Sequence, residues 1–166
     1  MKPISLTIEA FGPYRDSVTL DFSQLENHSM FLIFGPTGAG KTSILDAMVY
    51  ALYGEPSGEV RKIDAIRSDF AEPERMTRVD FSFAIGDAQY RIERLPKQMV
   101  AKKRGTGMRE QNASATVYEM KDGEWKVIAT SAAAIRDTIQ RIIGFRKDQF
   151  LQVVLLPQGE FRKLLV

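Results

Sequence analysis

Apolar and polar residues alternate in short runs along much of this chain, and the alternation predicts most of its strands. Ile4-Ser5-Leu6-Thr7-Ile8-Glu9-Ala10 reads as a strand with one wet face. Phe11-Gly12-Pro13-Tyr14 is a turn signal, and Val18, Leu20 and Phe22 mark a second strand. Val79, Phe81, Phe83 and Ile85 alternate with Asp80, Ser82 and Ala84. Gly86-Asp87 then predicts a hairpin turn, and the chain returns through 88–94 with Tyr90 and Ile92 on one face. Ser114 to Met120 and Trp125 to Ala129 form a further hairpin through Lys121-Asp122-Gly123-Glu124. The middle third is therefore predicted to be an antiparallel insertion, not the continuation of a simple parallel α/β sheet.

Other stretches carry different patterns. Residues 43–53 have helical length and good helix formers, and Gly54-Glu55-Pro56-Ser57-Gly58 ends them. Ser131 can cap a helix over 132–143, with Ile135, Ile139, Ile142 and Ile143 on one core-facing stripe and Gly144 as the stop. Met30-Phe31-Leu32-Ile33-Phe34 is a continuous apolar run of the kind a buried parallel strand needs. Phe150 to Leu156 is another apolar run, read as a strand at least from Val153. A loop at 157–160 and one turn of helix from Phe161 follow. A chain that stops one turn into a helix is expected to be part of something longer.

Composition narrows the picture without deciding it. At 166 residues, 44% hydrophobic and 27% charged, the chain can bury a real core. A net charge of +2 means that any nucleic-acid surface must be local. The lack of cysteine excludes disulfides and thiolate metal sites and suits the cytoplasm. The start lacks the apolar core of a signal peptide, and no apolar run approaches the roughly 20 residues of a membrane helix. His28 is the only histidine and has no partner residue for catalysis or metal binding, so it reads as a solvated connector residue.

One stretch carries chemistry. Gly35-Pro36-Thr37-Gly38-Ala39-Gly40-Lys41-Thr42 matches G-x-x-x-x-G-K-[ST], the phosphate-binding loop, between a predicted strand and a predicted helix. Glycines at 35, 38 and 40 let the backbone approach a ligand, and successive N–H groups form an anion nest at the positive end of a helix. Residues 35–43, Ser43 included, are the candidate nucleotide site. Lys41 should reach the β- and γ-phosphates of ATP, and the Thr42 hydroxyl should ligate Mg²⁺. Two lesser candidates lie elsewhere. The short mixed segment from Arg61 to Ser68 has arginines that could face a base or ribose. The segment from Lys97 to Arg109 carries five positive side chains and no negative one, including Lys102, Lys103 and Arg104. It has glycines and no clear period, so a mobile loop that touches a nucleic-acid backbone is one reading and a solvated loop tip is the other.

The pieces in this order resemble the N-terminal part of bacterial SbcC, the ATPase subunit of the SbcCD DNA-repair nuclease. The resemblance rests on Phe11 to Tyr14, Gly35 to Thr42, Leu45-Asp46-Ala47, Ala51-Leu52-Tyr53-Gly54, and Leu155-Leu156-Pro157-Gln158-Gly159-Glu160-Phe161. It implies an α/β P-loop NTPase fold: the N-terminal lobe of an ABC-type ATPase head over 1–166, with a mixed core sheet and an antiparallel sheet packed beside it. It gives Gln158 the role of a Q-loop glutamine that ligates Mg²⁺ and senses the γ-phosphate. Some relatives place an arginine near the phosphates where this chain has Gly12, and Arg15 is a weak substitute. The chain has no four-apolar-then-Asp-Glu stretch and no Leu-Ser-Gly-Gly signature. In this family both belong to a C-terminal lobe beyond a long coiled coil. The resemblance thus implies as partners that lobe, a second ATPase head, an SbcD-like nuclease subunit and double-stranded DNA, in a cytoplasmic, nucleoid-associated setting with no membrane. It also implies a fragment that is nearly inactive alone and exposes apolar surface meant for the missing strands. Against this stand a small P-loop kinase or free-standing NTPase, which needs a largely parallel sheet, and a DNA-binding platform with a vestigial loop.

Overall fold

The computed structural model describes residues 1–25, 32–57, 66–102 and 106–153. Six strands, β1 (Lys2–Glu9), β2 (Val18–Asp21), β3 (Arg78–Ile85), β4 (Ala88–Leu95), β7 (Ser114–Lys121) and β8 (Glu124–Ala129), form one sheet in the order β2-β1-β3-β4-β7-β8. The period-2 pattern explains the register. Leu6 and Ile8 oppose Phe81 and Val79, Phe81 opposes Ile92, and Ile92 opposes Val117, so one apolar row crosses four strands. These six side chains are fully buried. The opposite face carries Thr7, Asp80, Arg91 and Tyr118, with Arg91 bonded to Asp80 at 2.5 Å and its guanidinium 5.4 Å from the Tyr118 ring centre.

Both predicted hairpins are present. Gly86 turns β3 into β4 with φ 56°, and Asp122-Gly123 turn β7 into β8 with φ 55° and 79°, the doubly left-handed pair that a tight type I′ turn demands. The described strands form this six-stranded sheet and a separate two-stranded one; Met30, Phe31 and 154–156, from the runs read as core strands, lie outside the described residues. Every pairing among the described residues is antiparallel, which also argues against the small-kinase alternative.

Helix α1 (Lys41–Tyr53) lies on the apolar face against β3 and β4. Ser43, Ile44 and all of Asp46 to Leu52 are buried, so this helix is enclosed on nearly every side. Its end is held in two ways. Gly54 takes the left-handed C-cap and donates its N–H to the Tyr50 carbonyl at 2.8 Å. Arg94 of β4 reaches across and donates to the carbonyls of Ala51 (2.8 Å) and Leu52 (3.4 Å), beside the Tyr50 ring. Burial pushes the Tyr50 phenol up to about 12, so it stays neutral beside this cation. Arg94→Met keeps most of the volume but strands helix-end carbonyls in a buried place. A loss of about 2–3 kcal/mol is expected, read as a lowered urea midpoint at unchanged slope; a loss under about 0.5 kcal/mol would contradict this role.

Helix α2 (Ala132–Ile143) follows its prediction, with Ser131 Oγ accepting from the Ala134 N–H and Gly144 closing the far end. The apolar run at 150–156 departs from its prediction at Val153, the one described residue of the strand read from there on. Lys147–Val153 is helix α3, not a strand. Gln149 Oε1 accepts the Arg146 N–H at 3.1 Å, the reciprocal half of a capping box, and Phe150 is buried against Tyr53. A local cap and one aromatic anchor outweigh the apolar run; residues from 154 on lie outside the described residues.

The basic segment is also more ordered than predicted. Gln98–Ala101 (β5) and Met108–Gln111 (β6) form a two-stranded sheet. The Gln98 carboxamide exchanges two bonds with the Thr77 backbone, at 2.7 and 2.9 Å, and Val100 is buried. That anchoring supplies the period the sequence lacked.

Candidate nucleotide site

The loop at 35–39 is exposed, and the half-buried Gly40 leads directly into α1. Gly38 and Gly40 take φ of 86° and 90°, a region costly for any residue with a Cβ. Gly40 is the N-cap of α1 and offers no side chain to its leading amides. A helix N-terminus without a side-chain cap presents N–H donors and partial positive charge to an anion. Lys41 folds back over the loop, and its ammonium donates to the carbonyls of Gly35 and Pro36, each at 2.8 Å. Thr42 is exposed on the first turn, and Ser43 is buried beneath it. The donor set fits a polyphosphate: backbone amides, one ammonium and one hydroxyl converge at a helix start, and no carboxylate of the loop competes with them.

The structure thus brings together residues 35–43. Gln158, Lys103, Arg104 and His28 lie outside the described residues. Lys102 is exposed, and its backbone N–H closes the β5–β6 turn on the Gly107 carbonyl at 3.1 Å. Glu110 pairs with Lys97 at 3.0 Å, so this hairpin is less positive than the run from Lys97 to Arg109 suggests. Arg61 lies outside the described residues, and Arg67 is engaged by backbone of the loop that follows it. Its guanidinium donates to the carbonyls of Glu72 (2.8 Å) and Arg75 (2.5 Å) and organises the 66–77 loop. Arg15 pairs with its neighbour Asp16 at 3.1 Å and is solvent-exposed.

The predicted strand before the loop is corrected in part. Met30 and Phe31 lie outside the described residues, and 32–34 belong to no strand, with Leu32 81% and Phe34 86% exposed. None of the described strands pairs with 32–34.

A contact that sequence reasoning missed lies beneath the loop. The Phe11–Tyr14 turn packs against Gly40, with the Tyr14 hydroxyl donating to the Gly40 carbonyl at 3.2 Å. The turn signal was visible, but its 26-residue reach to the loop was not.

Comparison with known proteins decides the family. The sequence profile of the AAA domain matches residues 5–165. The chain belongs to this family. An AAA domain is a P-loop ATPase fold, so the phosphate-loop geometry sits in a nucleotide-binding context. The chain is 44% identical to the SbcC subunit of the nuclease SbcCD from Vibrio cholerae, over 99% of its own length and 16% of the relative's. The SbcC subunit of Lactococcus lactis is 42% identical, and that of Staphylococcus aureus 37%, again over 16% of each relative. The resemblance to SbcC is therefore spread across nearly the whole chain, while the chain spans only 16% of the relatives it matches. No helix among the described residues is long and apolar enough to cross a membrane.

Proposed function

We propose that this chain is the ATP-binding N-terminal lobe of an SbcC-like ATPase. The observation that carries the reading is the Lys41 ammonium held over the Gly35 and Pro36 carbonyls at an uncapped helix start, in a chain 37–44% identical to SbcC proteins. Phosphate oxygens of ATP would take over the ammonium's two bonds and meet the amides of α1. Thr42 would be a Mg²⁺ ligand, and Gln158 a second one by resemblance. Bound Mg²⁺ would supply charge neutralisation at the phosphates. Residues 1–166 would form one lobe of a split head; the exposed Leu32 and Phe34 suit a surface completed by the C-terminal lobe beyond a coiled coil.

In the whole protein, ATP would join two heads, clamp double-stranded DNA and govern access of an SbcD-like nuclease subunit to DNA ends. The protein would work in the cytoplasm at the nucleoid, and the β5–β6 hairpin with Lys102, Lys103 and Arg104 would be one backbone contact. The nuclease chemistry would belong to the partner.

The test is end-dependent DNA cleavage by the full-length protein with its nuclease partner, with and without ATP, for wild type and Gln158→Ala. Wild type should show ATP-dependent cleavage of duplex ends. Gln158→Ala should keep ATP binding within about threefold while turnover falls at least about tenfold. Cleavage indifferent to ATP would overturn the proposal.

A further inference from the structure

The Gly40–Lys41 peptide is the hinge between the phosphate loop and α1. Its carbonyl accepts two hydrogen bonds, from the Ile44 N–H of the helix (3.2 Å) and from the Tyr14 hydroxyl (3.2 Å). Its N–H belongs to Lys41 and lies at the helix start. Donation into a peptide carbonyl polarises that peptide and strengthens the N–H on its other side. Tyr14 is well placed to do this because it is itself held. It exchanges backbone bonds with Phe11 at 3.0 Å in each direction, and the Gly12 N–H donates to the Ile66 carbonyl at 2.8 Å. Phe11 is buried, with its ring 5.9 Å from that of Tyr50 on α1. The turn is thus fastened to the same helix whose start it touches. Burial raises the Tyr14 phenol above its ordinary value, so the hydroxyl keeps its proton at neutral pH.

We infer that Tyr14 is a positioning residue for nucleotide binding: its hydroxyl fixes the Gly40–Lys41 peptide so that the Lys41 amide and side chain address the ligand's phosphates. This rests on the nucleotide reading of the loop. The hydroxyl and the ring do separable work. The ring and Pro13 form a wall against Gly40, and the hydroxyl sets the peptide's orientation.

The experiment uses the full-length protein with a fluorescent ATP analogue as probe, comparing wild type, Tyr14→Phe, Tyr14→Ala and Lys41→Ala. Each is also assayed for ATP turnover and nucleotide-free melting temperature. Tyr14→Phe should weaken analogue binding about three- to tenfold and raise KM by a similar factor. Its kcat should stay within about twofold, because the lost contact serves ground state and transition state alike. Its nucleotide-free melting temperature should stay within about 2 °C of wild type. Tyr14→Ala should lose both affinity and melting temperature. Wild-type binding by Tyr14→Phe, alongside loss of binding in Lys41→Ala, overturns the inference and leaves the site intact. An affinity loss in Tyr14→Phe accompanied by a melting drop beyond about 5 °C also overturns it, since the hydroxyl would then serve stability alone. Wild-type binding by Lys41→Ala would overturn the nucleotide reading itself.

Discussion

Lys41→Ala in the full-length protein should lower ATP turnover by at least about a hundredfold, some 3 kcal/mol of lost stabilisation of the transferring phosphate. The side chain is half-exposed, and its two bonds run to the Gly35 and Pro36 carbonyls of the loop, not to the core. The substitution therefore removes an ammonium from the mouth of the site while the sheet and α1 keep their packing. Melting temperature without nucleotide should move by less than about 2 °C. Stabilisation by saturating ATP, which follows from preferential binding to the folded state, should shrink towards zero. Turnover within about threefold of wild type would mean that the phosphate loop is vestigial. Lys41→Arg is expected to fail almost as badly, because a planar fork cannot replace a compact ammonium folded onto two carbonyls.

Gly40→Ala should have the second-largest effect, and it should act on stability and binding together. At φ 90° a Cβ is strained by about 1 kcal/mol before any contact is made. The added carbon would also lie 2.8 Å from Pro13 Cγ and 3.0 Å from the Tyr14 hydroxyl oxygen, so the turn or the loop must move. Either movement disturbs the Tyr14 bond to the Gly40 carbonyl and the first amide of α1. A drop of about 5 °C or more in melting temperature and at least about a tenfold loss of ATP affinity are expected. Gly38→Ala is the control. Its φ of 86° imposes similar backbone strain, but a Cβ there meets nothing within 4 Å. It should lose clearly less of both. Equal losses at the two positions would show that backbone strain alone, not the Pro13–Tyr14 wall, sets the requirement for glycine.

Local signals made the hairpins and helices legible. Alternation through Val79, Phe81 and Phe83 gave a strand face, Gly86 and Asp122-Gly123 gave turns, and Ser131 with Gly144 bracketed α2. The loop was legible because three glycines, a lysine and a threonine at fixed spacing have few other uses. What escaped was set by distant contacts. Strand order, with β1 between β2 and β3, joins residues that no local pattern relates. Arg94 reads as an alternating strand charge, yet it caps the far end of α1 across 43 positions. The segment at 147–153 shows apolar character without its helical cap being obvious, because Gln149 matters only through its bond to the Arg146 amide. Tyr14 reads as a turn residue, and only the folded chain shows it beneath Gly40.

The central claim is that these 166 residues hold the nucleotide but form only one lobe of the ATPase head. The most direct measurement is ATP turnover by this chain alone and by the chain mixed with the C-terminal lobe of the same protein, each with and without Lys41→Ala. Negligible turnover alone, and turnover in the mixture that Lys41→Ala abolishes, is the predicted result. Robust Lys41-dependent turnover by the chain alone would contradict it, since the catalytic site would then be complete without a second lobe.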